Sequence, residues 1–128
     1  MKILIADDNK RVRELLKRLL LSSIHQVEFI ESTNGEEAVN NYLKEKPDLV
    51  LMDIAMKSMD GLQATRQIIS VSPNAKIIVV TQLSENEYKQ EAMEAGAIEF
   101  INKENLSVLT EIINKLMNNN IADNQIKK

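Results

Sequence analysis

The 128-residue sequence contains no cysteine and no tryptophan, and aromatic residues make up only 3% of it. Without cysteine the chain can form no disulfide, no thiolate zinc site and no cysteine nucleophile. Because aromatic side chains are so few, the core must be aliphatic, and flat platforms on which nucleobases or flavins stack are scarce. These absences exclude thiol chemistry and disfavour ligands that bind by stacking.

A dominant charge and a long apolar run are also missing. The 16 basic and 19 acidic residues are interspersed and give a net charge of -3. No basic stripe is present, which weighs against direct binding of DNA or RNA. No apolar run is long enough to span a bilayer, and Met1-Lys2 leads straight into a predicted strand rather than a signal peptide. We expect a cytoplasmic protein that contacts neither nucleic acid nor membrane.

Five short apolar segments alternate with segments whose apolar residues recur at helical spacing. The apolar segments predict strands at residues 2–6, 27–31, 49–52, 76–80 and 97–101. Helices are predicted to begin at the capping residues Asn9, Asn34, Asp60 and Ser84. Strands that alternate with helices form parallel sheets with right-handed crossovers. We therefore expect one α/β domain, a doubly wound (βα)5 unit with helices on both faces of a five-stranded parallel sheet.

The apolar stripes of the helices predict which helix faces cover the sheet. In the first helix the stripe comprises Val12, Leu15, Leu16, Leu19 and Leu20. Charged residues, Arg13 among them, are expected on the opposite side of this helix. In the second helix the inner face comprises Ala38, Val39, Tyr42 and Leu43.

The last helix carries the strongest stripe of the chain, made of Leu106, Leu109, Ile112, Ile113 and Leu116. From residue 118 onward the sequence is polar, rich in asparagine and without periodicity. We therefore predict a domain over residues 1–118 and a polar tail, or the start of a linker, over residues 119–128.

The strand at residues 49–52 is the centre of the chain. Its four apolar residues predict burial on both faces, yet the next residue is Asp53. Burying a carboxylate is costly unless it has a partner, so packing gives no reason for a charge here. Open α/β sheets bind ligands at the carboxyl ends of their strands, and Asp53 lies at such an end. We interpret Asp53 as the reactive group.

Polar residues also close the other strands: Asp7 and Asp8 the first, Thr81 the fourth and Lys103 the fifth. In a parallel sheet these ends meet at one edge. At an effective dielectric constant near 20, two carboxylates ~4–5 Å apart repel by ~3–4 kcal/mol, so a cation must offset the cluster. Lys103 and a divalent ion are the candidates, and oxygen ligands without histidine or cysteine favour Mg²⁺ or Mn²⁺.

A carboxylate beside a divalent ion, an amine and a hydroxyl can form an acyl phosphate. Aspartate accepts phosphoryl groups covalently in several enzyme classes. The cations would neutralise charge on the transferring group, and the hydroxyl of Thr81 could hydrogen-bond a phosphate oxygen. The residues alone thus indicate phosphoryl transfer to Asp53.

These motifs resemble the receiver domain of two-component response regulators. The resemblance rests on Asp7-Asp8, on Asp53 followed by Met56 and Met59-Asp60-Gly61, on Thr81, and on Gly96-Ala97 leading to Phe100 and Lys103. It covers residue 1 to about residue 118. It implies the strand order 2-1-3-4-5 found in chemotaxis members of this superfamily.

The resemblance implies a role for each site residue. Asp53 would be the phosphoacceptor, supplied by a sensor histidine kinase, a phosphotransfer protein or a small phosphodonor. Asp8 and Asp53 would ligate Mg²⁺ directly, together with the backbone carbonyl of Ala55, and Asp7 would act mainly through water. Lys103 would pair with the phosphoryl group. The domain would be a regulatory phosphoacceptor that assists its own phosphorylation and dephosphorylation.

The resemblance also implies a switch. Thr81 and Phe100 would repack on phosphorylation, with Phe100 turning inward. This change would alter the face made by the fourth helix, the fifth strand and the fifth helix. That face would then control an output partner or domain, a transcriptional one included, or support a homodimer. Gln82, at the rim of the site, and Ala55, two residues after Asp53, are expected to tune the rates.

Two other functions use similar residues. A phosphatase of the haloacid dehalogenase class also has an aspartate nucleophile, but it needs a second acid where this chain has Ala55. The stronger alternative is a receiver-like interaction module that signals without phosphorylation. Such domains usually lose an acidic residue or the lysine, and this chain keeps all of them. The single histidine, His25, is expected to lie on the surface.

Overall fold

The computed structural model describes the backbone of residues 1–126 and the side chains up to residue 118. Strands and helices alternate along the chain. The strands are β1 (Lys2–Ala6), β2 (Glu28–Ser32), β3 (Leu49–Met52), β4 (Ile77–Thr81) and β5 (Glu99–Asn102). The helices are α1 (Lys10–Leu21), α2 (Gly35–Glu45), α3 (Gly61–Val71), α4 (Glu85–Ala95) and α5 (Ser107–Ile126), with a 3-10 turn at Lys103–Asn105 before α5.

All strand pairs are parallel, and the strand order is β2-β1-β3-β4-β5. The predicted fold and strand order are confirmed. Strand β3 lies at the centre, with Leu51 paired with Ile5 of β1 on one side and with Ile78 of β4 on the other. The end of β3 therefore opens at the middle of the sheet edge.

The sheet separates two aliphatic clusters because successive residues of a strand point to opposite faces. One cluster joins Ile3, Ile5, Leu49 and Leu51 of the sheet to α1 and α5. The other joins the alternate residues Leu4, Ala6, Val50 and Met52 to α2 and α3. The central strand β3 is therefore apolar and buried at all four positions, as a strand covered on both faces must be.

All four helices begin at the predicted capping residues, and three of these residues make a capping hydrogen bond. The side chain of Asn9 accepts hydrogen bonds from two main-chain N–H groups of α1. Asn34 and Asp60 each accept one bond at the starts of α2 and α3. The capping box predicted at Ser84 is wrong, because the Ser84 side chain makes no capping hydrogen bond. Gly96 ends α4 in the left-handed region (φ 115°), where glycine is favoured.

The predicted inner faces of α1 and α2 are partly wrong. Leu15 and Leu43 are exposed, whereas Leu16 and Tyr42 are buried. Neighbouring residues differ by about 100° around a helix, so Leu15 and Leu43 fall outside the face that buries Leu16 and Tyr42. Arg13, expected on the solvent side, is largely buried, with 12% of its side chain exposed.

Helix α5 continues past the predicted apolar stripe to Ile126. The division into a domain over residues 1–118 and a tail over residues 119–128 falls inside this helix and stays a prediction. His25 is exposed, as expected for a surface residue. Within residues 1–126, none of the helices is long and apolar enough to cross a bilayer.

Candidate functional site

The carboxyl edge of the sheet collects the residues singled out from the sequence. Asp7 follows β1, Asp53 follows β3, Thr81 is the last residue of β4, and Lys103 follows β5. Asp53 continues the β1–β3 ladder, since its N–H donates to the carbonyl of Ala6 (2.9 Å). The parallel register therefore carries side chains that are distant in sequence to one point.

Lys103 joins the carboxylates of two strands. Its Nζ lies 2.8 Å from Asp7 Oδ2 and 3.1 Å from Asp53 Oδ2. Asp7 and Asp53 are almost fully buried, at 1% and 4% exposure. Two buried carboxylates share one ammonium, so the cluster keeps an excess negative charge.

The pKa values of the cluster reflect this crowding. Burial raises the pKa of Asp7 above its ordinary value, although bonds from Lys103 and from the N–H of Asn9 oppose the rise. Burial alone would lower the pKa of Lys103, but the attraction of Asp7 and Asp53 outweighs it and raises that pKa. Lys103 is thus firmly cationic, and the excess negative charge is borne by the carboxylates.

One oxygen of the Asp53 carboxylate has neither a hydrogen bond nor an ion pair among the described residues. Asp53 Oδ2 accepts a hydrogen bond from Lys103, but Asp53 Oδ1 is buried and receives none from the described residues. A buried carboxylate oxygen without a donor costs free energy unless another group satisfies it. The orphan oxygen therefore indicates that this site is made to receive a further positive group.

Three carboxylates supply oxygens for a cation. Oxygens of Asp7, Asp8 and Asp53 lie within 4.8 Å of one another, and Asp8 is exposed beside the two buried acids. The carbonyl of Ala55 accepts no hydrogen bond from any described residue and stands in the adjoining loop. Hard oxygen donors of this kind, completed by water, fit Mg²⁺ or Mn²⁺ rather than a softer metal.

The loop between β3 and α3 is pinned by two glycines. A Cβ on Gly61 would lie 1.8 Å from the carbonyl oxygen of Asp53, and a Cβ on Gly35 would lie 2.1 Å from the carbonyl oxygen of Met59. The N–H of Gly35 also donates to that Met59 oxygen (2.9 Å). Only glycine allows these backbone approaches, so the start of α2 and the start of α3 both brace the loop that follows Asp53.

The predicted switch residues lie at the other side of the site. Thr81 is fully buried, and its hydroxyl accepts a hydrogen bond from the N–H of Leu83 (3.3 Å). Phe100 is already buried at 7% exposure, in a cluster with Val79 and Ala92. The predicted repacking of Thr81 and Phe100 on phosphorylation stays a prediction. Gln82 is exposed at the rim, as is Ala55.

Sequence reasoning missed two residues that support the site. Asn102 donates to the carbonyl of Leu83 (3.2 Å) and accepts from the N–H of Glu104 (2.9 Å), so it ties the β4–α4 loop to the turn that carries Lys103. Arg13 donates to the carbonyl of Asp7 (2.7 Å). Asn102 could have been found from the sequence, because it is a polar residue directly after the apolar segment that predicts the fifth strand. Arg13 had no such signal, since charged residues surround it on α1.

With this geometry established, the class of the protein follows from comparison. Residues 3–114 match the family model of the response regulator receiver domain. This chain belongs to that family, whose members serve two-component signalling.

Individual relatives agree with this class. The chemotaxis protein CheY of Thermotoga maritima is 40% identical over 116 residues, which cover 90% of this chain and 96% of that protein. The transcriptional regulatory protein YhcZ of Bacillus subtilis is 43% identical over 98 residues, but the match covers only 45% of its length. The solved structure of response regulator TrrA from Thermotoga maritima, in complex with Mg²⁺ and BeF, superposes with a TM-score of 0.79 at 34% identity and covers 90% of this chain and 97% of that one.

Proposed function

We propose that Asp53 accepts a phosphoryl group and thereby switches the domain. The observation that carries the proposal is the orphan oxygen: a buried carboxylate at the centre of the sheet edge, paired on one side with Lys103 and left without a donor on the other. A structural carboxylate would be fully satisfied. A group that must bind a cation and attack phosphorus needs free lone pairs.

The transfer step conserves atoms and electrons. A carboxylate oxygen of Asp53 attacks phosphorus and forms a P–O bond while the bond from phosphorus to the donor breaks. The electron pair leaves with the donor atom, a histidine nitrogen of a kinase or phosphotransfer protein, or a carboxylate oxygen of acetyl phosphate. Lys103, already at the carboxylate, pairs with a phosphoryl oxygen, and the hydroxyl of Thr81 donates a hydrogen bond to another.

We propose that Mg²⁺ or Mn²⁺ is held by Asp8, Asp53 and the carbonyl of Ala55, with Asp7 acting through water. When bound, the ion supplies positive charge that neutralises the phosphoryl oxygens. Asp7 contributes by holding Lys103 in place, because its Oδ2 is 2.8 Å from Nζ. The domain therefore assists its own phosphorylation and dephosphorylation but processes no separate substrate.

The output surface lies on α4, β5 and α5. Moving the Thr81 hydroxyl toward a phosphoryl group breaks its bond to Leu83, and Asn102 transmits the change because it holds the same loop. The partner at this face is an effector domain, a separate protein or a second copy of the chain. Transcriptional control is one such output, by analogy with YhcZ.

Intact mass after incubation with acetyl phosphate and Mg²⁺ tests the phosphoacceptor. We expect one added phosphoryl group of ~80 Da, stable in acid and lost in base. Asp53→Asn should abolish it. Asp48→Asn is the matched control, because Asp48 flanks the opposite end of β3, where its side chain accepts a hydrogen bond from the N–H of Lys2 (2.8 Å). Phosphorylation that persists in Asp53→Asn would disprove the assignment.

Thermal melting tests the cation site. Mg²⁺ binds the folded site and should raise the melting temperature by mass action. Asp8→Asn relieves carboxylate repulsion, so it should stabilise the metal-free protein and remove the response to Mg²⁺. A wild-type melting curve that is identical with and without Mg²⁺ would contradict the site.

Phosphorylation and dephosphorylation rates test the predicted role of Gln82. The exposed Gln82 side chain could either crowd the approach of small phosphodonors or hold a water molecule for hydrolysis. Holding water would fix the side chain in one pose, which costs rotamer entropy, so we expect crowding. Gln82→Ala should then accelerate phosphorylation by acetyl phosphate more than it changes dephosphorylation. If the variant gains no speed but keeps its phosphoryl group longer, Gln82 instead positions water.

The alternative is an interaction module that is never phosphorylated. It predicts no mass change with acetyl phosphate or with a phosphorylated kinase, and no chemical-shift change on adding beryllofluoride and Mg²⁺. Our proposal predicts shifts concentrated on α4, β5 and α5 as well as in the loop after Asp53.

A further inference from the structure

Arg13 is a mostly buried cation beside an acidic site that already contains a lysine. Only 12% of its side chain is exposed, and its guanidinium makes two defined bonds. Nη1 donates to the main-chain carbonyl of Asp7 (2.7 Å), and Nε donates to Glu31 Oε1 (2.8 Å). Arginine is almost never fully buried unless it is paired, and Arg13 is paired with Glu31. Packing of α1 alone does not require a charged group at this position.

The carbonyl that Arg13 holds belongs to the peptide unit between Asp7 and Asp8, which is planar and rigid. The rest of Asp7 is fixed separately: its N–H by Ser32, Oδ1 by the N–H of Asn9, and Oδ2 by Lys103. Asp8 is exposed and makes no hydrogen bond or ion pair with any described residue. The direction in which the Asp8 side chain leaves the main chain therefore depends on the peptide plane that Arg13 holds.

We propose that Arg13 is a positioning residue for the divalent-cation site, orienting the Asp7–Asp8 peptide so that the Asp8 carboxylate faces the cation. The inference rests on the proposed function, because it assumes that Asp8 is a ligand. Arg13 itself touches neither cation nor phosphoryl group and acts through the main chain.

Glu31 makes this arrangement compatible with cation binding. A guanidinium next to a metal site repels the metal, but Glu31 pairs with both Arg13 and Lys17 (2.7 Å) and cancels much of that field. Lys17 and Arg13 hold the pKa of Glu31 below its usual range, so Glu31 stays ionised. Lys17 also pairs with Glu14 (3.4 Å), so two carboxylates face two cations, and the charge of Arg13 is balanced locally while its hydrogen bonds are kept.

Two possible roles of Arg13 have opposite consequences. If Arg13 acted only through its charge, Arg13→Met would remove a repulsive cation and Mg²⁺ would bind more tightly. If Arg13 positions Asp8, the same change should weaken Mg²⁺ binding by about tenfold or more, as is typical when a residue that orients metal ligands is lost. Whether the Mg²⁺ affinity of Arg13→Met rises or falls therefore distinguishes the two roles.

The experiment measures the dissociation constant for Mg²⁺ by calorimetry, with MgCl2 as titrant and no phosphodonor, and follows the amide signals of Asp8 and Asn9 by NMR. We expect Arg13→Met to bind Mg²⁺ about tenfold more weakly and to shift the metal-free Asp8 amide. Lys17→Met is the matched control: it removes a cation from the same network without touching Asp7, and it should bind Mg²⁺ as tightly as wild type or slightly more so.

Two further variants guard against a folding defect. Arg13→Lys keeps the charge but cannot bridge Asp7 and Glu31 with a planar fork, so it should restore the affinity only partly. Glu31→Gln leaves the guanidinium in place without its charged anchor and should weaken binding by a smaller factor than Arg13→Met. Equal or tighter binding in Arg13→Met would overturn the inference and leave the cation site intact. A wild-type chain that binds no Mg²⁺ would overturn the proposed cation site as well.

Discussion

Helices α3 and α4 follow neighbouring strands at the same sheet edge, but the structure anchors them very differently. On α3 the buried residues are Gly61, Leu62, Ala64, Thr65 and Ile68. On α4 they are only Ala92 and Ala95. Because burial contributes about 0.8 kcal/mol per CH₂ group, the large side chains of α3 hold it more strongly than the two alanine methyl groups and the partly buried Tyr88 hold α4.

The starts of the two helices also differ, and α3 is again the more firmly held helix. Asp60 Oδ1 accepts from the N–H of Gln63 (2.9 Å) at the start of α3, whereas Ser84 caps nothing at the start of α4. Gly61 also packs directly against the Asp53 carbonyl. The helix after the proposed phosphoacceptor is thus rigid, and the helix after Thr81 is the easier one to displace. This difference between α3 and α4 suits a domain whose reactive site must stay in place while its output surface moves.

The largest expected effect comes from the core residue of α3. Ile68→Ala should lower the free energy of unfolding by about 2–5 kcal/mol, because the side chain is fully buried and leaves a cavity. Ala92→Gly on α4 should cost only about 1 kcal/mol, mostly in backbone entropy. Urea unfolding of both variants measures the contrast. Equal losses would show that α4 is anchored as firmly as α3.

Hydrogen exchange measures the same contrast without mutation. The amides of α4 should exchange at least about tenfold faster than those of α3, which corresponds to about 1.4 kcal/mol less local stability. Adding beryllofluoride and Mg²⁺ should change protection in α4 more than in α3. Uniform protection across the two helices would remove the basis for treating α4 as the movable element.

The caps provide a matched pair of substitutions. Asp60→Ala should lower the free energy of unfolding by about 1 kcal/mol, since it leaves the N–H of Gln63 without its partner. Ser84→Ala removes no capping bond and should change stability by no more than about 0.3 kcal/mol. Thermal unfolding at fixed pH and salt compares them. A loss from Ser84→Ala as large as that from Asp60→Ala would mean that Ser84 does cap α4 in solution.

The smallest effect is expected where α3 and α4 touch through an ion pair. Arg66 Nη2 lies 3.1 Å from Glu91 Oε2, and both side chains are about half exposed. Surface pairs of this kind contribute about 0–1 kcal/mol, so Glu91→Gln should scarcely change stability. A double-mutant cycle with Arg66→Gln isolates the pair. A coupling well above 1 kcal/mol would show that this bridge, rather than the apolar contacts, holds α4 to α3.

Much of the fold could be predicted because its signals are local. The apolar runs around Ile3, Leu51 and Ile78 identify strands covered on both faces, and Asn9, Asn34 and Asp60 mark helix starts that the structure confirms. Strand limits shifted by one or two residues at β2, β4 and β5, because a strand ends where its ladder partner does. Leu15 and Leu43 were assigned to the wrong side because periodicity alone does not set the width of a buried stripe.

The sequence by itself determined the alternation of strands and helices, and with it the acidic, hydroxyl and amine side chains at the strand ends, because each depends on residues close together in the chain. The tertiary structure alone decided that Lys103 reaches both Asp7 and Asp53, that one oxygen of Asp53 has no donor in the part of the chain that the structure describes, and that Phe100 is buried. It also assigned Arg13 to the Asp7 carbonyl. These features depend on distances between residues far apart in sequence, and those distances are set by strand register and helix rotation, which no local pattern of residue types specifies.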